Sequence, residues 1–511
     1  MDQAGVAPVE NRILLTISVM LATVMQSIDA TIANVALPHM QGTFSANQDQ
    51  MVWVLTSYIV AAAITIPLTG WLATRFDRKV VFLVSIVGFT VSSAFCGMSV
   101  TLLQIIIFRL IQGISGAALV PLSQAILFDI NPPENHGKAM SFWGVGVTLG
   151  PILGPALGGW LTEDYNWRWV FYINLPIGIL AFLGLLIFLP PAKNRRENSR
   201  FDFFGFIALS IAVGSLQLML DRGGLKDWFS STEIIVEGIV ASVSFYVFII
   251  HTLTHKRPFI NTALFKDVNF VIGTVFVFIV GIVLFATLAL VPPLLQDVMG
   301  YPVITTGLVT APRGMGLMLA MILVGRLVGR VDAKILMGTG LVLTSLSLAG
   351  MSHFSMVMDT WPVIETGALQ GFGIGLVYVP LATVAFTALP VQLRTEGTAF
   401  FNLLRNLGSS IGISAVQALL TRNMQIVHAG LAARVTPYNP GANPGLQAAH
   451  IDLTSLRGLV LLNGEITRQA AMIAYLDDFK LIMVVTMMMA PLLLLFRRAR
   501  RIENTHPVAA E

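Results

Sequence analysis

The chain has 511 residues, 55% of them hydrophobic and only 11% charged, against about 25% charged in an ordinary soluble domain. Length alone would suggest several soluble domains, but this composition excludes them and indicates an all-α polytopic membrane protein. The net charge of +4 gives no reason to expect nucleic acid as a partner, and a single cysteine, Cys96, excludes an intramolecular disulfide or a cysteine metal site.

Met1 to Arg12 lack a basic n-region and no small-x-small cleavage site follows, so the first apolar block is expected to stay as an uncleaved helix. That block, 13–35, ends in Asp29-Ala-Thr31-Ile-Ala-Asn34-Val-Ala-Leu-Pro38. A carboxylate at such depth costs several kcal/mol and usually marks an ion pathway or a paired group. Asp29 therefore reads either as a proton carrier or as half of a static ion pair that fixes helix packing. Gln26, Thr31 and Asn34 on the same helix are candidates to line a cavity.

Further spans are expected near 52–73, 80–99, 102–128, 139–161 and 169–189. The short loop after the second carries Gly70-x-Leu-x-x-Arg75-x-Asp77-Arg78-Lys79, which reads as an inner latch or as ordinary topology-setting charge. In the fourth span Arg109 lies about seven residues, or roughly 10 Å, below the outer end, the same depth as Asp29. The two either pair or lie on faces that never meet. Gln112 follows one turn later as a cavity candidate. The fifth span holds Gly146, Gly150, Gly154 and Gly158 on one face, with Pro151 and Pro155 beside them. Missing side chains let another helix approach closely, and each proline removes a backbone donor. The pattern reads as a hinge, with plain tight packing as the alternative.

A basic linker at 190–202 leads to two spans, 203–221 and 233–253, and then to 269–293, 304–327, 335–352, 362–388, 397–420 and 479–496. Gly325-x-Leu-x-x-Arg330-x-Asp332-x-Lys334 repeats the first loop at five identical offsets 255 residues on, and Gln112-Gly113 recurs as Gln370-Gly371. A constant offset means duplicated helices in the same orientation, so the expected plan is six helices, two inserted ones, and six more. The units are 1–190, 191–255 and 256–511. In the second unit the place of Asp29 falls near Phe285 and Ala286, with no acid. Asn402 and Arg405 form a polar face compatible with a cavity, while Arg313, nearer an outer helix end, could snorkel. Residues 421–478 form a long outer loop with a helix-compatible stretch near 446–476; it is either a docking surface or a tolerated insertion. Placing both termini in the cytoplasm puts twenty of the 31 Lys and Arg residues inside, including the tail Arg497 to Arg501, and eight outside. No Gly-x-x-x-x-Gly-Lys-Ser/Thr loop is present, which argues against ATP-driven transport, and no cofactor or metal is expected.

Together these elements resemble the major facilitator superfamily and, within it, the fourteen-helix drug:proton antiporters of the EmrB/QacA type. The resemblance rests on Asp29 to Pro38, Gly70 to Lys79, Arg109-Leu-Ile-Gln112-Gly113-Ile-Ser-Gly116, Gly146 to Gly159 and Trp167-Arg-Trp-Val-Phe-Tyr-Ile-Asn174-Leu-Pro176-Ile-Gly178. The chain departs from the family loop motif, with Thr74 in place of an acid and Asp77 in place of a glycine, so an inner latch must use Asp77 or another partner. The resemblance implies a non-enzymatic transporter in the bacterial inner membrane. It would expel hydrophobic or amphiphilic drugs in exchange for protons by alternating access, with Asp29 and Arg109 as the coupling pair. It also implies a periplasmic membrane-fusion adaptor (EmrA-like) and an outer-membrane channel (TolC-like) as partners. The competing expectations are a dedicated exporter of one metabolite, siderophore or lipid, an uptake symporter, and a non-transporting signalling or scaffold protein.

Overall fold

The computed structural model describes residues 11–190, 201–387, 389–435 and 455–497. Most of the basic linker, the Pro/Asn/Gly stretch near 437–445 and the tail beyond Arg497 lie outside the described residues. Within them the regular structure is helical, with one isolated bridge between Val328 and Val331. Lipid imposes this, because hydrocarbon leaves every N–H and C=O to be bonded inside the chain.

The first six helices are α1 (Arg12–Phe44), α2 (Gln48–Thr65, then Leu68–Arg75 beyond a 53° bend), α3 (Arg78–Met98), α4 (Leu102–Gly116 and Leu119–Ile130), α5 (His136–Asp164) and α6 (Trp169–Tyr172 and Asn174–Phe188). The inserted pair is α7 (Phe203–Arg222) and α8 (Thr232–Thr254). Then come α9 (Val268–Pro293), α10 (Val303–Leu327), α11 (Ala333–Met351), α12 (Trp361–Thr387), α13 (Val391–Ala432) and α14 (Leu456–Met488, then Leu492–Leu495). Among the described residues twelve helices are long and apolar enough to cross a membrane, thirteen with bent α2 counted as one span. The remaining long helix, α13, lies among them but carries Asn402, Arg405, Asn406 and Ser409, too many polar groups to qualify on composition.

The duplication is visible in the packing. α1 lies on α5 as α9 lies on α13, α2 on α4 as α10 on α12, and α3 on α4 as α11 on α12. The two repeated loops also fold alike. Asp77 accepts from the Lys79 N–H at 2.8 Å and caps α3; Asp332 accepts from the Lys334 N–H at 2.9 Å and caps α11. Lys79 Nζ donates to the Leu186 carbonyl near the end of α6 at 2.7 Å, and Lys334 Nζ to that of Leu494 near the end of α14 at 3.5 Å. Acid and lysine of each motif thus start one helix and tie it to the last helix of its half.

The glycine face of α5 lies against α1. A Cβ on Gly150 would stand 2.3 Å from the backbone of Ser27, and one on Gly154 would stand 2.1 Å from Thr31 Oγ1. Only a missing side chain permits this approach. It brings two α1 hydroxyls onto α5 carbonyls: Ser27 Oγ donates to Val147 O at 2.5 Å, and Thr31 Oγ1 to Gly150 O at 2.9 Å. Val147 is the residue whose carbonyl Pro151, four positions on, cannot bond. α5 continues past its prolines without a break, and at Pro151 α1 supplies the donor that the ring removes.

The inserted pair is tied at both ends. At the end of α7, Asp221 accepts from Thr56 of α2, and the adjacent Leu220 carbonyl accepts from Ser414 of α13 at 2.7 Å. At its start, Asp202 caps α7 through the Gly205 N–H at 2.9 Å and also accepts from His251 and the Phe259 N–H. Burial alone would raise the Asp202 pKa, but the Gly205, His251 and Phe259 donors outweigh it and hold the carboxyl below its ordinary range. The outer loop is largely helical, since α13 runs on to Ala432 and α14 starts at Leu456. His428 and Asn463 join the two at 3.0 Å.

Two substitutions separate the packing and bonding roles on α5. Ser27→Ala leaves the Val147 carbonyl without its donor and is expected to cost about 1–3 kcal/mol, seen as a lower melting temperature in detergent. Gly150→Ala is expected to be worse, because backbone rather than a flexible side chain must give way. Gly159→Ala, with nothing within 4 Å, should melt like the unmodified protein.

Candidate functional site

Asp29 sits where α1, α4 and α6 meet and is wholly buried. Arg109 Nη1 donates to its Oδ2 at 2.8 Å, while Gln112 Nε2 and Asn174 Nδ2 donate to its Oδ1 at 2.9 and 2.7 Å. Arg109, 1% exposed, also donates to the Val54 carbonyl at 3.2 Å and to Gln112 Oε1 at 2.9 Å. Its guanidinium lies 4.2 Å from the Tyr58 ring centre and 5.7 Å from that of Phe171. Gln26 Nε2 donates to the Tyr58 hydroxyl at 3.1 Å. Asn174 Nδ2 is shared with Ser93 Oγ at 2.9 Å.

Each member has a physical reason to be there. A dry carboxylate is tolerable only when paired and fully hydrogen-bonded, and three donors from two helices meet that demand. The guanidinium forks between carboxylate, amide and carbonyl, as its planar geometry allows. Removing the arginine would strand a buried carboxylate, at about 3–5 kcal/mol. Depth arithmetic anticipates the pair. Asn174 and Tyr58 were missed because depth says nothing about the direction a side chain points; the only available signal for Asn174 was a polar residue in an otherwise apolar span.

The second half lacks the acid but keeps part of the frame. Gln370 Nε2 donates to Thr287 Oγ1 at 3.1 Å, so Thr287, rather than Phe285 or Ala286, stands to Gln370 as Asp29 stands to Gln112. Position 367, the counterpart of Arg109, is glycine, and Arg313 of α10 packs against it instead. Arg313 Nη2 donates to the Leu284 carbonyl at 2.8 Å.

The expected cavity residues divide. Asn34 is exposed, and Gln26 and Thr31 are half-buried with the bonds already described. Arg405 is half-buried, donating to the Tyr378 hydroxyl at 3.1 Å. Gln112 and Asn402 do not face open space in this conformation. Gln112 belongs to the Asp29 cluster, and Asn402 Nδ2 donates across the halves to Gln124 Oε1 at 2.9 Å. A polar residue in a membrane helix lines water or bonds another helix, and these two do the latter.

On the side of the two repeated loops the halves are joined. Thr398 Oγ1 donates to the Pro121 carbonyl at 3.1 Å, and Ser141 Oγ to that of Met321. Each repeated loop lies under the other half: a Cβ on Gly70 would meet Glu396 Cα at 2.9 Å, and one on Gly325 would meet Ser141 Cβ at 2.8 Å. The cross-half ion pair centres on Asp129 at the end of α4, a residue no motif marked. Asp129 takes Arg78 from the first loop and Arg394, at 3.1 Å, from the start of α13. Arg75 flanks this loop, and Arg330 with Asp332 forms its counterpart; Asp77 and Asp332 serve as helix caps. The counterpart of Asp129 is Thr387, so the second half offers no acid at that place.

Residues 19–413 match the family described as the Major Facilitator Superfamily. The chain belongs to that superfamily. It is 36% identical to the multidrug export protein EmrB of Escherichia coli K12 over 473 residues, covering 91% of this chain and 92% of the relative. The EmrB of Haemophilus influenzae is 37% identical, with 84% of each chain covered. The fatty acid resistance protein FarB of Neisseria gonorrhoeae is 34% identical, over 91% and 92%. Two solved structures share the fold. The human organic anion transporter MFSD10 has a TM-score of 0.59 at 16% identity, over 94% of this chain and all of that one. A bacterial homologue of the lysosomal transporter Spinster, inward-facing and unoccupied, scores 0.53 at 17%, over 97% and 100%. This superfamily member is thus a polytopic inner-membrane transporter of the EmrB type.

Asp129→Asn removes the acid that holds both arginines together. With Cys96→Ser and Ser141→Cys in the background, maleimide labelling of position 141 from the cytoplasmic side is expected to rise several-fold. Unchanged labelling would show that the pair does not hold the inner ends closed.

Proposed function

We propose that the chain exports hydrophobic and amphiphilic toxic compounds across the inner membrane in exchange for protons, by alternating access, as the inner-membrane component of a tripartite pump. The observation that carries the coupling is the fully buried, fully bonded Asp29–Arg109 pair, present in one half and replaced by Thr287 in the other. A proton entering from outside adds to Asp29 Oδ2 and breaks its bond to Arg109 Nη1. The guanidinium does not become an orphan, because the Val54 carbonyl, Gln112 Oε1 and the Tyr58 ring stay within reach. The two states of the pair can therefore differ little enough in energy for a proton to switch them.

The second element is the inner ion pair. Arg78, Asp129 and Arg394 join the halves when the cytoplasmic side is closed and must part when it opens, so they act as the latch. Gly146, Gly150, Gly154 and Gly158 give α5 a smooth face on α1, Pro151 makes its bonding depend on the Ser27 donor of α1, and Pro155 removes a second donor one turn on. Movement of α1 is thereby transmitted to α5. The relatives named for multidrug export support the substrate class, and FarB, named for fatty acid resistance, extends it to amphiphiles.

Coupling is tested with Asp29→Asn in proteoliposomes that report drug and proton movement together. Drug-driven proton flux is expected to disappear while drug exchange without a proton gradient persists; full coupled efflux would refute the role of Asp29.

The adaptor reading rests on the outer helical pair, where Ile426, Leu459, Val460 and Leu461 are exposed. Changing Leu459 and Leu461 to glutamate is expected to abolish co-purification with a periplasmic membrane-fusion adaptor and leave efflux in proteoliposomes intact. Undiminished co-purification would place the adaptor elsewhere.

A further inference from the structure

Three guanidiniums lie well away from the ends of the expected spans of the two halves: Arg109, Arg313 and Arg405. Arg109 has its carboxylate. Among the described residues Arg313 and Arg405 have none, and their partners are neutral: the Leu284 carbonyl for Arg313, and the Tyr378 hydroxyl and Asn406 Oδ1 for Arg405. The Nε of Arg405 is buried without any partner. A charge in such surroundings is costly unless something of opposite sign joins it.

The two are placed alike. Arg313 lies fourteen residues from the cytoplasmic end of α10 at Leu327, and Arg405 fourteen residues from that of α13 at Val391. Both therefore stand about 21 Å above the inner ends. They flank α9 within one turn of it: a Cβ on Gly281 would meet the Arg405 carbonyl at 2.5 Å, and Leu284 receives Arg313. Arg405 lies beside the interface of the halves, since its partner Tyr378 stacks on Trp143 of α5 with ring centres 6.1 Å apart. The nearby Gln370–Thr287 contact repeats the Gln112–Asp29 frame without its carboxylate. The second half thus has two cations, a glutamine and a hydroxyl where the first half has one cation and one anion.

We propose that the second half binds the anionic head of the exported amphiphile, a carboxylate or sulfonate, with Arg405 contacting it and Arg313 supplying a second positive charge at the same depth. This rests on the export reading above and narrows its substrate class. The apolar body of the substrate lies against the cleft walls, and the head takes the place in the charge balance that Asp29 holds in the other half. Moving one negative charge outward is also favoured by a membrane potential negative inside.

The test uses two probes with one ring scaffold, the anionic 1-anilinonaphthalene-8-sulfonate and the uncharged N-phenyl-1-naphthylamine, titrated onto the full chain in nanodiscs with empty nanodiscs subtracted. The unmodified protein is expected to bind both, and decanoate to displace the sulfonate. Arg405→Gln is expected to weaken the sulfonate about tenfold, the scale of one charge-assisted bond, and leave the uncharged probe unchanged. Arg313→Gln should act in the same direction, and the lysine variants should retain most of the binding. Arg405→Lys and Arg313→Lys keep the test open if a glutamine variant does not fold. Sulfonate binding unaltered in the glutamine variants, or both probes weakened equally, would overturn the proposal. Binding of the uncharged probe alone to the unmodified protein would overturn it while leaving the export reading intact. Binding of neither would overturn both.

Discussion

A carboxylate sealed from water constrains everything around it, because it needs a counter-charge and donors for its remaining lone pairs. For Asp29 these come from Arg109 and Gln112 on α4 and Asn174 on α6, while the guanidinium is steadied by a carbonyl and a ring of α2. Four of the six helices of the first half are therefore committed to one cluster. α1 can carry the acid only because its other face is fixed on α5, where glycines bring the backbones together and Ser27 completes a bond that Pro151 leaves open. The second half shows the same frame relieved of that demand: with Thr287 in place of an acid, the cation comes from another helix and keeps only neutral partners.

The chain is asymmetric in a second way. Both repeated loops have the same internal structure, with the aspartate as helix cap and the lysine on a carbonyl of the last helix of its half. Only the first is continued into a cross-half ion pair, because Asp129 lies at the end of α4 and Thr387 at the corresponding place in α12. The duplicated motif thus accounts for structure that both halves need, and function has been added beside it in one.

Helices, repeat and loops were legible in the sequence because they depend on run length, constant offsets and charge, all of them one-dimensional. So was the common depth of Asp29 and Arg109, since rise per residue is fixed. Direction around a helix axis was not legible. Gln112 and Asn402 therefore read as cavity residues although each bonds another helix, and neither Asn174, named only within a motif, nor Tyr58 was placed beside the Asp29–Arg109 pair. Asp129 had no periodicity or spacing to mark it; its importance arises only when Arg394, 265 residues away, is folded beside it. Residues 421–478 read as an outer loop with a helix-compatible stretch near 446–476, and helix is found from Leu456, within that stretch. Charge and hydrophilicity mark exit from the membrane but do not end a helix, and both flanking helices simply continue.

The seat of the inserted pair has a consequence for biosynthesis. One side of α7 is completed by α2, made before it, and the other by α13, whose Ser414 follows Leu220 by 194 residues. At about 5–20 residues per second, the ribosome takes roughly 10–40 s to cover that distance. For that time α7 rests on the first half with its second face against lipid. Its insertion can precede its final docking, because each helix satisfies its own backbone before it meets a neighbour. The last step in seating the inserted pair is then the arrival of α13, which packs on a helix that has been waiting in the membrane.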